Sequence, residues 1–250
     1  MLPATTTKHK KLLVCPFADS VFHLHQSDDG VSNGTALWLG AQCLSAYLAY
    51  SAVVKPGMRA IELGSGIGLT SLALAHLGCH TIATDLPWVI AKCLAKNIEN
   101  NRARLPSTAG ELSVRELDWT IPPDQWVFDH DTIIASPACS PPEPQQYPHK
   151  FDIIVSADTV YSRELVTPFL RTLHALCTSS APRIPMAFIC IERRDNAVID
   201  QMLQDAQSIW CFAVTRVPPR KLSKALEKSG CKWAKDDWDG VELWKLTYRG

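Results

Sequence analysis

"MRAIELGSGIGLTSLALAHLGCHTIATD", residues 58–85, decides how this chain is built. The continuous apolar run of "MRAIELG" has the length and character of a strand buried on both faces, and "CHTIATD" repeats it. Between them "LTSLALAHLG" spaces its apolar residues as a helix does and stops at Gly78, a residue suited to the left-handed conformation that closes helices. Strand, helix and strand within about thirty residues form a β-α-β unit.

The turn from the first strand into the helix carries Gly64, Gly66 and Gly68 at alternate positions. Glycine is needed there wherever the backbone takes positive φ or a ligand approaches main-chain atoms, and both demands fit Gly64 and Gly66. A dinucleotide turn favours GxGxxG, but Leu69 stands where its third glycine belongs. No Lys-Ser/Thr pair follows, so the turn is not a nucleotide P-loop either. Glu62, just ahead of the glycines, would repel a pyrophosphate and attract an ammonium group. A cationic ligand fits better than a phosphate.

Outward from this unit, strand and helix patterns alternate. Upstream, two short runs within residues 12–25, the second alternating as "SVFHLH", suit an N-terminal β-hairpin. "SDDGVSNGT" reads as a loop and "ALWLGAQCLSAYLAYSAVV" as a helix, with Trp38 near its start and "KPG" as its stop. Downstream, "PWVIAKCLAKNIENNRARL" is an amphipathic helix, "LSVRELDW" a third strand and "KFDIIVSAD" a fourth. "RELVTPFLRTLHALC" and "AVIDQMLQDAQ" are helical, "PMAFICIERR" is a fifth strand, and "CFAVTRVP" and "VELWKLTYR" resemble an antiparallel finish. Residues 120–150 hold "IPPDQW" and "CSPPEPQQYP", whose prolines interrupt regular hydrogen bonding. That length exceeds an ordinary connection, so a partly mobile surface insertion is expected. The fold class is α/β, a doubly wound sheet. We expect a flexible tail at residues 1–11 and a single domain over 12–250.

Asp85 closes the second strand about twenty residues beyond the glycines, where a carboxylate can accept from ribose hydroxyls. Asp118-Trp119 closes the third, and an indole beside the crevice at the strand ends can lie against a purine. Each has a plainer alternative: a bare connecting turn for the glycines, a helix N-cap for Asp85, a core aromatic for Trp119. Together, in order on successive strand ends, they suit a nucleoside that carries a positive charge. S-adenosylmethionine has these parts.

"IELGSGIG", "ATDLP", "LDW" and "ADTVY", in this order, resemble the class I S-adenosylmethionine-dependent methyltransferases with their mostly parallel seven-stranded sheet and antiparallel C-terminal strand. Within them the chain looks like methyltransferase family 16, protein-lysine methyltransferases marked by D-x-x-Y after the fourth strand, here Asp158-Thr159-Val160-Tyr161. "GTALWLGAQCLSAYL" is similar to that family's G-T-x-x-W segment. The resemblance runs from about Gln26 onward. It implies that Trp38, Gly64, Ser65, Gly66, Asp85, Trp119 and Ala157 surround S-adenosylmethionine, where Glu62 joins them by its charge, with Asp158 and Tyr161 at the methyl-transfer end. The wording "GTALWLGAQ" is most like fungal-type enzymes that modify translation elongation factor 1-alpha, which makes that factor the implied protein substrate. The insertion departs from the family's common core.

A carboxylate beside a lysine would stabilise its ammonium, so Asp158 is expected to orient the substrate or the crevice loop and not to act as a strong base. Tyr161 can offer a ring face and a hydroxyl to the same nitrogen. The plainer reading of "DTVY" is an aspartate capping the next helix with Tyr161 packed beneath it. Glu192, Arg193 and Arg194 in "IERRDN" read as a solvated strand end outside the site. His130 between Asp129 and Asp131 is a polar loop patch, and no metal is expected. Trp233, Trp238 and Trp244 read as edge cover or core around the last strands.

Composition narrows the partners. Twenty-five basic and 25 acidic residues cancel, so the chain lacks the positive field of most nucleic-acid binders. The N-terminal apolar run is too short for a signal h-region or a membrane span. Nine cysteines without CxxC pairs read as reduced, packed thiols. A soluble cytoplasmic monomer is expected, the cytoplasm being favoured over the nucleus. Two other functions compete with protein-lysine methylation: methylation of a small-molecule or nucleic-acid amine, and cofactor binding with little catalysis. The (D/N)PP(Y/F) motif of base-amine methyltransferases is missing, since Thr159-Val160 stand in place of its prolines.

Overall fold

The computed structural model describes residues 4–27, 34–138, 150–180 and 182–250. Its first strand of the β-α-β unit, β3 (Arg59–Leu63), follows β1 (Leu12–Phe17) and β2 (Ser20–His25), which pair antiparallel as the expected N-terminal hairpin. β4 (His80–Asp85), β5 (Leu112–Leu117), β6 (Ile133–Ala135), β7 (Ile153–Ala157), β8 (Met186–Glu192), β9 (Phe212–Arg216) and β10 (Val241–Tyr248) complete one sheet with β3. Its order is β6-β5-β4-β3-β7-β8-β10-β9. Every pairing from β6 to β8 is parallel, and β10 runs antiparallel to both of its neighbours. From β3 the chain builds outward through β4 and β5, then returns to lay β7 on the other side of β3. Ligand crevices of α/β sheets open at such a reversal, beyond the carboxyl ends of the strands.

Alternation along β3 sorts its side chains between two cores. Ile61 and Leu63 pack with α6 (Arg163–Ser179) and α7 (Asn196–Ser208), and Ala60 packs with α2 (Leu39–Tyr50) and α8 (Pro219–Lys228) on the other face. A third cluster joins the hairpin to α3 (Leu69–His76) and α5 (Ala95–Asn101). Two asparagines tie β2 down. Asn97 Oδ1 accepts from the His25 amide at 2.7 Å, and its Nδ2 donates to the His25 carbonyl at 2.9 Å. Asn101 does the same for His23, at 2.8 Å in both directions. The far edge is stitched by Glu242, which accepts from Arg193 Nε at 2.7 Å and Trp244 Nε1 at 3.0 Å and pairs with Arg216 Nη2 at 3.0 Å.

Four features differ from expectation. The sheet has an eighth strand, β6, supplied by the segment read as a surface insertion. Trp126, Phe128, Ile134 and Ala135 are buried in the core beneath α6. Pro122 and Pro123 start a short 3-10 turn, Pro123–Gln125, and leave the following apolar residues free to pack. Residues 139–149 of that insertion lie outside the described residues. The helix expected after β4 is broken into α4 (Pro87–Val89), a π turn at Ile90–Leu94, and α5. A helix not expected, α8, covers α2 through the narrow stripe Leu222, Ala225 and Leu226. Ahead of β1, the segment expected to be a tail carries α1 (Ala4–Thr7), and Gln26 Nε2 donates to the Thr7 and Lys10 carbonyls.

Eight cysteines are free thiols, six of them buried, while Cys139 lies outside the described residues. Trp233 and Trp238 are partly buried against the α2 core and Trp244 against the α6 core, as edge cover. His130 Nδ1 accepts from the amides of Thr132 and Ile133 at 3.2 and 3.1 Å, shaping the loop. Among the described residues no helix is long and apolar enough to cross a membrane.

Candidate active site

All three turn glycines take positive φ: 72° at Gly64, 54° at Gly66 and 93° at Gly68. Close approach explains the first two as well. A Cβ on Gly64 would collide with the Thr159 methyl and sit 3.4 Å from Trp119 Cη2, and one on Gly66 would lie 3.2 Å from the Gly34 carbonyl oxygen. The turn is bound to β4 in register. The Ser65 amide donates to Thr84 O at 2.8 Å, and the Thr84 amide donates back to Ser65 Oγ at 3.0 Å.

Asp85 braces this turn. Its Oδ2 accepts from the Gly66 amide at 2.7 Å and its Oδ1 from the Leu86 amide at 2.8 Å. It is not the helix N-cap, a position that Leu86 takes for α4. Each carboxylate oxygen keeps a further lone pair for a ligand hydroxyl. Burial raises the Asp85 pKa to about 6 against the pull of those two amides. Glu62 is buried more completely and accepts from Ser71 Oγ of α3. Burial lifts it to about 7, with hydroxyls of Ser71, Ser65 and Thr70 opposing and Asp85 adding to the rise.

Asp158 stands at φ 55°, an uncommon conformation for a residue with a side chain. Its carboxylate explains the position. Oδ2 accepts from the Gly40 amide at 2.6 Å in the first turn of α2, and Oδ1 from the Glu192 amide at 2.7 Å at the end of β8. It therefore joins the ends of β7 and β8 to the positive end of α2. The next helix, α6, has Ser162 as its N-cap, so the plainer reading of "DTVY" does not hold. Burial raises the Asp158 pKa, Glu192 adding to the rise, while the two amides and Arg194 pull it down. Gly40 is required for this contact, since a Cβ there would meet Asp158 Oδ2 at 2.6 Å.

The ten residues expected at the site, Trp38, Glu62, Gly64, Ser65, Gly66, Asp85, Trp119, Ala157, Asp158 and Tyr161, all line one cavity of about 310 Å³. Trp38 is the N-cap residue of α2, and Ala157 ends β7. Trp119 packs edge-on against Phe169 of α6 with ring centroids 5.3 Å apart, so it serves core and cavity together. Arg171 Nη2 fixes its backbone by donating to the Trp119 and Thr120 carbonyls at 2.7 and 2.9 Å. Tyr161 is 53% exposed and stands at the open side, not packed beneath Asp158.

The wall also includes residues that sequence reasoning passed over: Leu86, Trp88 and Val89 after β4, Leu165 and Pro168 of α6, and Arg194. Trp88 had a signal, an aromatic three residues past the strand-closing Asp85. Arg194 corrects the reading of "IERRDN" as a solvated strand end. Its guanidinium lies 4.1 Å from the centroid of the Trp38 ring and reaches the cavity wall. Arg193 turns instead to Glu242 and Asp200.

These residues fit S-adenosylmethionine. The cavity volume lies within the range of small-molecule sites. Glu62 supplies an acid for the amino-acid end, Asp85 one for the ribose, and Trp119 an aromatic wall. The buried Trp119 Nε1 donor has no partner among the described residues, which suits a ligand acceptor.

The chain is similar to known methyltransferases in sequence and in fold. The family described as lysine methyltransferase matches residues 17–139. Protein N-lysine methyltransferase METTL21A of Mus musculus is 29% identical over 188 residues, covering 75% of this chain and 76% of that one. Protein-lysine methyltransferase METTL21E of Bos taurus is 26% identical over 225 residues, covering 86% and 68%. EEF1A lysine methyltransferase 3 of Xenopus tropicalis is 27% identical over 150 residues, covering 59% and 55%. A methyltransferase from Pyrococcus furiosus shares the fold at a TM-score of 0.51 and 13% identity, over 91% of this chain and 89% of that one. Sequence and sheet order agree: the chain is similar to the lysine methyltransferase family over residues 17–139 and shares the fold of S-adenosylmethionine-dependent methyltransferases.

Proposed function

We propose that the chain transfers a methyl group from S-adenosylmethionine to the side-chain amine of a lysine in a protein substrate. The observation that carries this reading is the convergence of the glycine turn, Glu62, Asp85, Trp119 and "DTVY" on one cavity at the strand ends. The likeness to METTL21A and METTL21E, both named for protein lysine, supports the substrate class.

The bound cofactor supplies a sulfonium methyl for in-line displacement by an amine nitrogen. The chain must hold the partners in line, exclude water and let the amine arrive uncharged. A free lysine has a pKa of about 10.4, so only roughly one in a thousand is neutral near neutral pH. Entry into a largely apolar cavity disfavours the ammonium and helps release its proton. The amides on both oxygens of Asp158 favour its ionised form and so make it a weaker base for that proton. We assign it to holding the reacting end in shape. Tyr161, at the open side, presents a ring face and hydroxyl to the incoming nitrogen.

Within this reading elongation factor 1-alpha is the favoured substrate, supported by the "GTALWLGAQ" resemblance and by the similarity to EEF1A lysine methyltransferase 3. The chain then acts as a cytoplasmic monomer, which sedimentation and imaging of a tagged chain would check. The deciding experiment incubates the enzyme with methyl-labelled cofactor and either purified elongation factor 1-alpha or whole-cell extract. A discrete labelled protein whose label maps to lysine is expected. Label confined to RNA or small molecules, or no label despite cofactor binding, would overturn the proposal.

A further inference from the structure

Arg194 is the one Lys, Arg or His side chain among the described residues that line the cavity, whose wall also carries the carboxyls of Glu62, Asp85, Asp118 and Asp158. Those four acids all have hydrogen-bond donors within the protein: Ser71 for Glu62, the Gly66 and Leu86 amides for Asp85, Thr120 for Asp118, and the Gly40 and Glu192 amides for Asp158. Arg194 is different. Its Nη2 donates to Glu192 Oε2 at 2.7 Å, and no other acceptor among the described residues takes its remaining N–H groups. The Trp38 ring, 4.1 Å away, braces the guanidinium at the cavity wall, and the side chain is 45% exposed. A planar fork of donors, held on an aromatic ring and mostly unused, is the geometry that recognises carboxylates two bonds at a time.

We propose that Arg194 is the carboxylate-binding residue of this cavity. The proposal rests on the methyl-transfer reading, which supplies two sources of that group. One is the carboxylate at the amino-acid end of the cofactor, whose ammonium has a counterpart in Glu62. The other is an acidic side chain near the target lysine. Either one shares the guanidinium with Glu192 and leaves Trp38 as its backing.

The test uses the full chain as wild type, R194Q and R194K. Calorimetry measures binding of S-adenosylmethionine and of its decarboxylated form, and labelled methyl transfer to extract proteins is measured at saturating cofactor. If the cofactor is the source, S-adenosylmethionine binds R194Q about tenfold or more weakly, and R194K recovers part of the loss. The decarboxylated compound then binds all three alike. If the substrate is the source, cofactor binding is unchanged, labelling falls about tenfold in R194Q, and R194K again recovers part of it. No loss in either measurement overturns the proposal. Equal losses in R194Q and R194K, for both compounds, also overturn it and leave Arg194 as a prop for Trp38. Should the wild type bind cofactor yet label no protein, the methylation reading fails while the binding comparison still decides on the cofactor carboxylate. Unchanged binding together with absent labelling overturns both.

Discussion

Glu62 and Asp85 reach the cavity as acids that hold their protons unusually long, to about 7 and about 6, because burial penalises their anions. A ligand carrying positive charge favours the ionised forms, so at low pH it must expel protons as it binds. Cofactor affinity should therefore climb as pH rises through 6 and 7 and level off above, by at most about tenfold per pH unit for each proton released. Calorimetry in buffers of different ionisation enthalpy should detect proton release at about pH 6 and almost none at about pH 8. Affinity flat over that range would refute the coupling. The unliganded fold has the opposite slope. Between the ordinary glutamate value of 4.5 and about 7 the folded Glu62 keeps a proton that the unfolded chain has released, so its contribution to stability declines as pH rises and is constant beyond.

Asp158 yields a different prediction. Asparagine tolerates the left-handed backbone but offers one acceptor oxygen in place of two, so in D158N either the Gly40 or the Glu192 amide faces an N–H group. The expected cost is about 1–3 kcal/mol in urea unfolding. The pH profile of methyl transfer should keep its shape while the rate falls. A D158N protein of wild-type stability whose pH profile of methyl transfer changes shape would make Asp158 a base after all.

At the scale of elements, the segment between β5 and β7 is core as much as insertion. Trp126 is 1% exposed and sits among Phe128, Ile134 and α6. Trp126→Ala should cost about 3–5 kcal/mol, which thermal or urea unfolding would register. A loss below about 1 kcal/mol would restore the surface-insertion reading. This is where sequence patterns carried least. β6 is three residues long, too short for alternation to declare itself, and the prolines beside Trp126 hid the apolar residues that follow. α8 escaped because only Leu222, Ala225 and Leu226 of its ten residues are buried. The π turn has no periodic signature at all. By contrast β3, α3 and β4 were legible, since their apolar runs and their glycine stops agree at every level. The site was legible for a related reason: its residues end successive strands, and sheet topology brings strand ends together whatever the loops do. Arg194 lies two residues past β8 in a run of charges, and nothing local distinguishes it from Arg193, which turns the other way.

The whole molecule arranges its cores so that the reacting end is fastened from both faces of the sheet. Asp158 ties β7 to α2 on one face, while Arg171 of α6 grips the chain at Trp119 and Thr120 on the other. Displacement of either helix would deform the same cavity. The hairpin stands outside this arrangement, and the amides of Asn97 and Asn101 have a consequence there for how copies of the protein behave toward one another. An unpaired β2 would offer the amide and carbonyl of both His23 and His25 as a template on which a second chain could add a strand. The two side chains occupy those four groups. Replacing both asparagines by leucine should cause concentration-dependent self-association in light scattering. A double variant that stays monodisperse would show that the hairpin resists aggregation by other means.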